Sequence, residues 1–220
     1  MDFLEFKKVD FKYNGSGQLF KSIDLSISKK ICTTITGPNG SGKTTLGKLM
    51  TGILEPEKGS VFLDGKDLLT VTPGHTGRKI GYLFQNPDLQ IFTLSVKEEL
   101  SFTHRFLGDP SENIEPKVDR MLEMFHLSGL KEKVPFNLSR GERQRLALAS
   151  VMMNGPDYLI LDEPTTGLDS IRKKILLGIL KDQLEKGIGM SIISHDHDFI
   201  GKLSNRLIEI NNGRLIEKDV

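Results

Sequence analysis

Nine consecutive residues, Gly37-Pro38-Asn39-Gly40-Ser41-Gly42-Lys43-Thr44-Thr45, combine glycines, one lysine and hydroxyl groups directly after the apolar run Ile31–Ile35. They satisfy G-x-x-x-x-G-K-[ST] at every fixed position, with a strand before and a helix over Thr44–Thr51 after. Glycines let successive backbone N–H groups converge on one point, Lys43 adds a cation, and the helix turns its positive end to the same place. The occupant this chemistry suits is a nucleoside triphosphate such as ATP. Thr44, at the start of the helix, has the hydroxyl for a Mg2+ ion that also takes β- and γ-phosphate oxygens.

A metal held this way needs an acidic partner at the carboxyl end of another strand. Tyr158-Leu159-Ile160-Leu161-Asp162-Glu163 supplies it. Asp162 is the expected metal ligand, directly or through water, and Glu163 is placed to polarise an attacking water as general base. The loop-forming order Pro164-Thr165-Thr166-Gly167-Leu168-Asp169 follows at once.

With two further segments, Leu138–Ser150 (LSRGERQRLALAS) and Ser191–Asp198 (SIISHDHD), these motifs resemble an ABC transporter ATPase over nearly the whole chain. The resemblance implies that Leu138-Ser139-Arg140-Gly141-Glu142 corresponds to the family's L-S-G-G-Q signature. That signature opens a helix toward the γ-phosphate of ATP held by a second copy, so Ser139, Gly141 and Glu142 join the nucleotide site in trans. The same residues also read as a plain capping box, Ser139 to Glu142. Arg140 and Glu142 depart from the family pattern, replacing its first glycine and its glutamine.

The resemblance further implies that His195 reaches the γ-phosphate beside Glu163, although a surface histidine is the plainer reading. Gln85 would serve the metal and the attacking water and act as a hinge. Tyr13, followed by Asn14-Gly15, would have its ring free to stack on adenine, and Asp169 would lie behind the site in a loop crossing the dimer seam. Gln85–Phe92 (QNPDLQIF) is similar to a narrower group, the energy-coupling-factor transporters, which carry a second glutamine; here that is Gln90. With Leu89, Ile91, Phe92 and Leu94 it would receive a coupling helix from a membrane subunit, with core packing of the insert as the plainer alternative for the same residues.

The elements that must position these groups follow from period and punctuation. Leu4–Tyr13, Ile23–Ile27, Ile31–Ile35, Ser60–Leu63 and Lys79–Phe84 read as strands forming a β-rich layer. From Asn86 to about Gly155 the pattern is helical, broken at Pro110–Glu112, with Val118–Phe125 amphipathic and Arg140–Met153 strongly helix-forming. Tyr158–Leu161 and Met190–Ile193 flank a helix over Ser170–Lys186, the mark of parallel strands. Arg206–Ile210 and Arg214–Ile216 form a hairpin across Asn211-Asn212-Gly213. The fold class is therefore α/β, a P-loop NTPase with a RecA-like parallel sheet core, an antiparallel β-layer and a helical subdomain. One domain over residues 1–220 is expected, with residues 1–85 and 156–220 as the nucleotide-binding core and 86–155 as the helical signature subdomain.

Bulk properties agree with that reading. Thirty basic against 29 acidic residues leave a formal charge of +1, so nucleic acid is not the default partner. Cys32, the single cysteine, reads as a small buried thiol. The start MDFLEFKKVDFKY has no apolar core of a secretory signal, and no apolar run reaches about 18 residues. The expectation is a cytoplasmic ATPase, peripheral on the cell membrane. It would pair with a second ATPase subunit and drive an integral membrane coupling subunit beside a substrate-binding membrane subunit that imports a vitamin or metal ion. Two rivals share part of the pattern: a soluble ABC ATPase acting on DNA or ribosomes, and a P-loop small-molecule kinase.

Overall fold

The computed structural model describes residues 2–218; the remaining residues of the expected domain lie outside the described residues. In chain order, β1 (Leu4–Lys12), β2 (Gln18–Ile27) and β3 (Cys32–Thr36) lead to α1 (Lys43–Met50). Then come β4 (Lys58–Leu63), β5 (Lys66–Asp67), α2 (Pro73–Lys79) and β6 (Ile80–Leu83). Three helices follow: α3 (Val96–Phe106), α4 (Ser111–Met124) and α5 (Arg140–Met153). The chain closes with β7 (Tyr158–Asp162), α6 (Ser170–Glu185), β8 (Met190–Ile193), α7 (His197–Ile200), β9 (Arg206–Asn211) and β10 (Arg214–Lys218).

Among the described residues the strands form two sheets. A six-stranded sheet runs β10-β9-β3-β8-β7-β6, and its inner pairs β9–β3, β3–β8, β8–β7 and β7–β6 are parallel. A four-stranded antiparallel sheet runs β2-β1-β4-β5. The strands expected to form one β-rich layer therefore divide. β3 and β6 are buried along almost their whole length and join the parallel sheet, whereas β1, β2 and β4 alternate buried and exposed residues and form the half-solvated layer.

Alternation along the parallel strands feeds two cores. Leu159 and Leu161 of β7, with Met190 and Ile192 of β8, face α3–α6. Tyr158 and Ile160, with Ile193, Ile208 and Ile35, face α1 and the antiparallel layer, where Leu46, Leu49 and Met50 are fully buried. The helix carrying the glycine loop is thus clamped between two sheets.

Two local differences from the sequence reading have physical causes. Helix α2 was hidden by Gly74 and Gly77, poor helix formers, but Thr72 caps it and Pro73 starts it. Helix α4 begins at Ser111 and runs through Pro116 rather than starting at Val118, because Ile114, Val118 and Leu122 bury one face at helical spacing. The break falls before it, at Gly108–Pro110. The terminal hairpin turns at Asn212 (φ 48) and Gly213 (φ 72), the left-handed pair of a tight two-residue turn.

Candidate functional site

The carboxyl ends of β3, β6, β7 and β8 lie along one edge of the parallel sheet, and the loops after them meet there. A cleft of 710 Å³ opens at that edge; Lys43, Thr44, Gln85, Asp162, Glu163 and His195 line its deep side, and Tyr13 with Ser16–Leu19 its outer wall. Asn39, Gly40, Gly42 and Thr45 complete the phosphate-loop side. Gly42 adopts φ +106, and a Cβ there would lie 2.7 Å from the Phe20 ring, so the antiparallel layer presses directly on the loop.

Lys43 folds back over its loop, its Nζ donating to the carbonyls of Gly37 (2.8 Å) and Pro38 (2.9 Å). Burial holds its ammonium below the ordinary lysine range, with the Glu163 and Asp162 carboxylates acting against that. The Thr44 hydroxyl donates to Asp162 Oδ2 at 2.6 Å. Asp162 is buried, and burial pushes its carboxyl up, aided by Glu163 and opposed by the Thr44 hydrogen bond and Lys43. Hydroxyl, carboxylate and the Gln85 amide form a hard-oxygen donor set suited to Mg2+. Among the described residues no cluster of three His, Cys, Asp or Glu could hold a metal. An ion at this position would need phosphate oxygens to complete its shell, which is how Mg2+ binds with nucleotides.

Glu163 stands just beyond β7 with φ 51, a left-handed conformation that a glutamate keeps only when its surroundings hold it there. They do so from three sides. Its N–H donates to the Ile193 carbonyl (2.8 Å), its carbonyl accepts from Gln144 Nε2 (3.4 Å), and Ser194 Oγ donates to its Oε2 (3.3 Å). His195 Nε2 is 3.8 Å from Glu163 Oε1, too far for a hydrogen bond. Sequence reasoning passed over Ser194 and Gln144. Both are buried polar residues in apolar surroundings, and Gln144, on the inward face of a predicted helix, was the detectable one.

The Tyr13 ring lines the cleft. Its hydroxyl shares a 3.0 Å hydrogen bond with Thr45 Oγ1 and its ring meets Phe11 edge-to-face at 5.0 Å, leaving it 44% exposed as a fixed wall of the cleft. Gln90 does not line the cleft: its Oε1 accepts from the Phe84 N–H at 3.4 Å, tying the ends of the Gln85 loop together.

The signature residues lie elsewhere than the cleft of their own chain. Ser139 caps α5, accepting from the Glu142 N–H (3.3 Å), and Glu142 Oε2 accepts from both the Ser139 N–H (2.7 Å) and its hydroxyl (2.8 Å). These bonds from Ser139 hold the Glu142 carboxyl below the usual range. A Cβ on Gly141 would lie 2.7 Å from the Gly167 carbonyl oxygen, so only glycine lets the start of α5 approach the loop after Glu163. Asp169 caps α6 through Arg172 N (2.8 Å) and pairs with the Arg172 side chain.

Ile91 is also misplaced by the docking reading. At 2% exposure it belongs to the helical core, since the turn Pro87–Leu89 rotates it inward. Leu89, Phe92 and Leu94 do stand out. They are joined by Phe102 and Phe106 of α3, whose rings continue from Phe92 at centroid spacings of 4.7 and 6.2 Å.

Comparison with known proteins bears on this geometry. Residues 20–166 match the family described as ABC transporter. The chain is 39% identical to an ABC transporter ATP-binding protein of Pyrococcus furiosus, over 96% of this chain and 81% of that one. It is 33% identical to the energy-coupling factor transporter ATP-binding protein EcfA of Methanothermobacter thermautotrophicus, over 97% and 69% of the two chains. Among solved structures it is similar to cbiO1 of Clostridium perfringens, part of the ABC transporter complex cbiONQ (TM-score 0.85, 32% identity, 98% and 87% covered). It is also similar to the ATP-binding cassette MJ0796, a post-hydrolysis dimer bound to ADP and Pi (TM-score 0.87, 26% identity, 98% of each chain). A glycine loop, an Asp-Glu strand end and a signature helix, matched over this length, leave one conclusion: the chain belongs to the ABC transporter ATP-binding family and is an ATP-hydrolysing transporter subunit with a P-loop NTPase fold.

Proposed function

We propose that this subunit powers an energy-coupling-factor type importer of a vitamin or transition-metal ion, pairing with a second ATPase subunit around ATP and driving a membrane coupling subunit. One observation carries the reading: Lys43, Thr44, Gln85, Asp162, Glu163 and His195 line one cleft, as phosphate, metal and water-activating groups of one half-site would, while Ser139, Gly141 and Glu142 lie outside it. A nucleotide in the cleft would be enclosed only when another copy brings its own signature. The similarity to EcfA and to cbiO1 supports the importer type, and the exposed Leu89, Phe92, Leu94 and α3 aromatics supply a face for the membrane subunit. Among the described residues no helix is long and apolar enough to cross a membrane, which leaves the crossing to partners. In this reading residues 86–155 act as a helical subdomain against a core of residues 1–85 and 156–220.

The chemistry is in-line attack of water on the γ-phosphate. Glu163 accepts the water's hydrogen bond and proton, held in its strained position by Ile193, Ser194 and Gln144; His195 orients the γ-phosphate side of the same space. Lys43 leaves its two loop carbonyls for the β- and γ-oxygens, neutralising charge as the bond breaks. Thr44, Asp162 and Gln85 would hold Mg2+, which supplies Lewis-acid neutralisation when bound. Tyr13 walls the adenine end. Glu163→Gln keeps the side chain's shape and removes the base, so the variant should accumulate as an ATP-bound pair with turnover down at least about 100-fold. Sizing with and without ATP checks it; normal turnover by a chain that stays single overturns the reading.

A further inference from the structure

The loop that carries Gln85 and the helix that carries Ser139 meet through one pair of side chains. Arg143, on the first turn of α5, places its Nε 2.8 Å from Asp88 Oδ1. That Nε–H finds no well-directed acceptor, so the contact is an ion pair rather than an aimed hydrogen bond. The same guanidinium donates to the carbonyl of Leu138, the residue before Ser139. Asp88 in turn belongs to the turn Pro87–Leu89, which Asn86 caps by accepting from the Asp88 N–H at 3.2 Å. Gln85, three residues from Asp88, faces the phosphate cleft, and Leu89, next to Asp88, is exposed on the proposed membrane-subunit face.

These contacts form a continuous mechanical path. A short capped turn moves as a unit, so a shift of Gln85 or a push on Leu89 displaces Asp88. Arg143 is the side chain that transmits the displacement, because one planar guanidinium grips both Asp88 and the backbone immediately before the signature serine. Arg140 lines the same 420 Å³ recess between loop and helix.

We propose that Arg143, through Asp88, is a positioning residue that couples the state of the Gln85 loop to the presentation of Ser139 toward a second copy's nucleotide. This rests on the paired reading above. The test is a double-mutant cycle in the Glu163→Gln background, with Asp88→Ala, Arg143→Ala and both together, reading the ATP concentration at half-association. Each single change should raise that concentration about fivefold, the low end of coupling between sites, and the double no more than either single. Arg143→Lys, which keeps the charge but not the fork, should recover part of the loss. Nucleotide affinity measured on dilute single chains, and the unfolding midpoint, should not move.

Additive effects, or losses that follow single-chain nucleotide affinity and unfolding midpoint equally, overturn the coupling and leave a structural contact. Failure of the Glu163→Gln parent to associate at all overturns the paired reading, and this inference with it. An unchanged half-association point in Arg143→Ala overturns the inference alone.

Discussion

The signature's glutamate changes what its serine can do. Ser139 has one hydroxyl proton, and the hydroxyl donates it to Glu142 Oε2 at 2.8 Å. A phosphate arriving at the start of α5 would compete with that carboxylate for the proton and meet its negative charge. Glutamine keeps the capping geometry without the charge. Glu142→Gln should therefore lower the ATP concentration needed for pairing in the Glu163→Gln background by about threefold or more, with a smaller gain at high salt. Sedimentation against an ATP series checks it, and an unchanged or higher requirement would place Glu142 away from the phosphate. Most residue chemistry at this site was legible because it is local: Lys43 and Thr44 are neighbours in the chain, as are Asp162 and Glu163. The Tyr13–Thr45 and Asp88–Arg143 contacts were not, since each joins segments whose approach depends on how separate elements pack.

At the scale of elements, α5 begins on a reciprocal cap whose strength depends on pH. The folded pKa of Glu142 lies below its ordinary value, because Ser139's hydroxyl and backbone N–H both donate to the ionised form. The stabilisation is therefore fully present above the ordinary glutamate range and is lost as pH falls through the depressed value. Ser139→Ala removes both side-chain bonds and should cost about 1 kcal/mol at neutral pH. In denaturant titrations that difference should shrink in acid as Glu142 protonates; a constant gap from neutral to acid pH would show that the capping box is not what Ser139 contributes. The same scale shows where pattern reading stops. Helix α4 ran through Pro116 because Ile114, Val118 and Leu122 outweigh one missing hydrogen bond, and Ile91 turned inward because a single tight turn precedes it. Neither is a property of a local window.

The whole molecule sets two exposed faces around one clamped helix. α1 is held by both sheets, while the ring series Phe92–Phe102–Phe106 is left on the surface with Phe106 79% exposed. Exposed rings contribute little to folding. Phe92→Ala with Phe106→Ala should shift stability by no more than about 0.5 kcal/mol per site yet abolish recovery of a membrane subunit on co-purification from native membranes. Undiminished recovery would remove this face from the partner interface.

The amino-acid order alone determined the loop, the acidic strand end, the alternation of parallel strand and helix, and the terminal hairpin, because each depends on contacts within a few residues or on a period the chain carries along its length. Tertiary structure decided which early strands entered which sheet, how Gly141 approached Gly167, that Glu163 is held in a left-handed conformation, and that the signature lies outside its own cleft. Those outcomes come from burial and backbone pairing between segments far apart in sequence, where free energy depends on which surfaces meet and not on the residues of either segment alone.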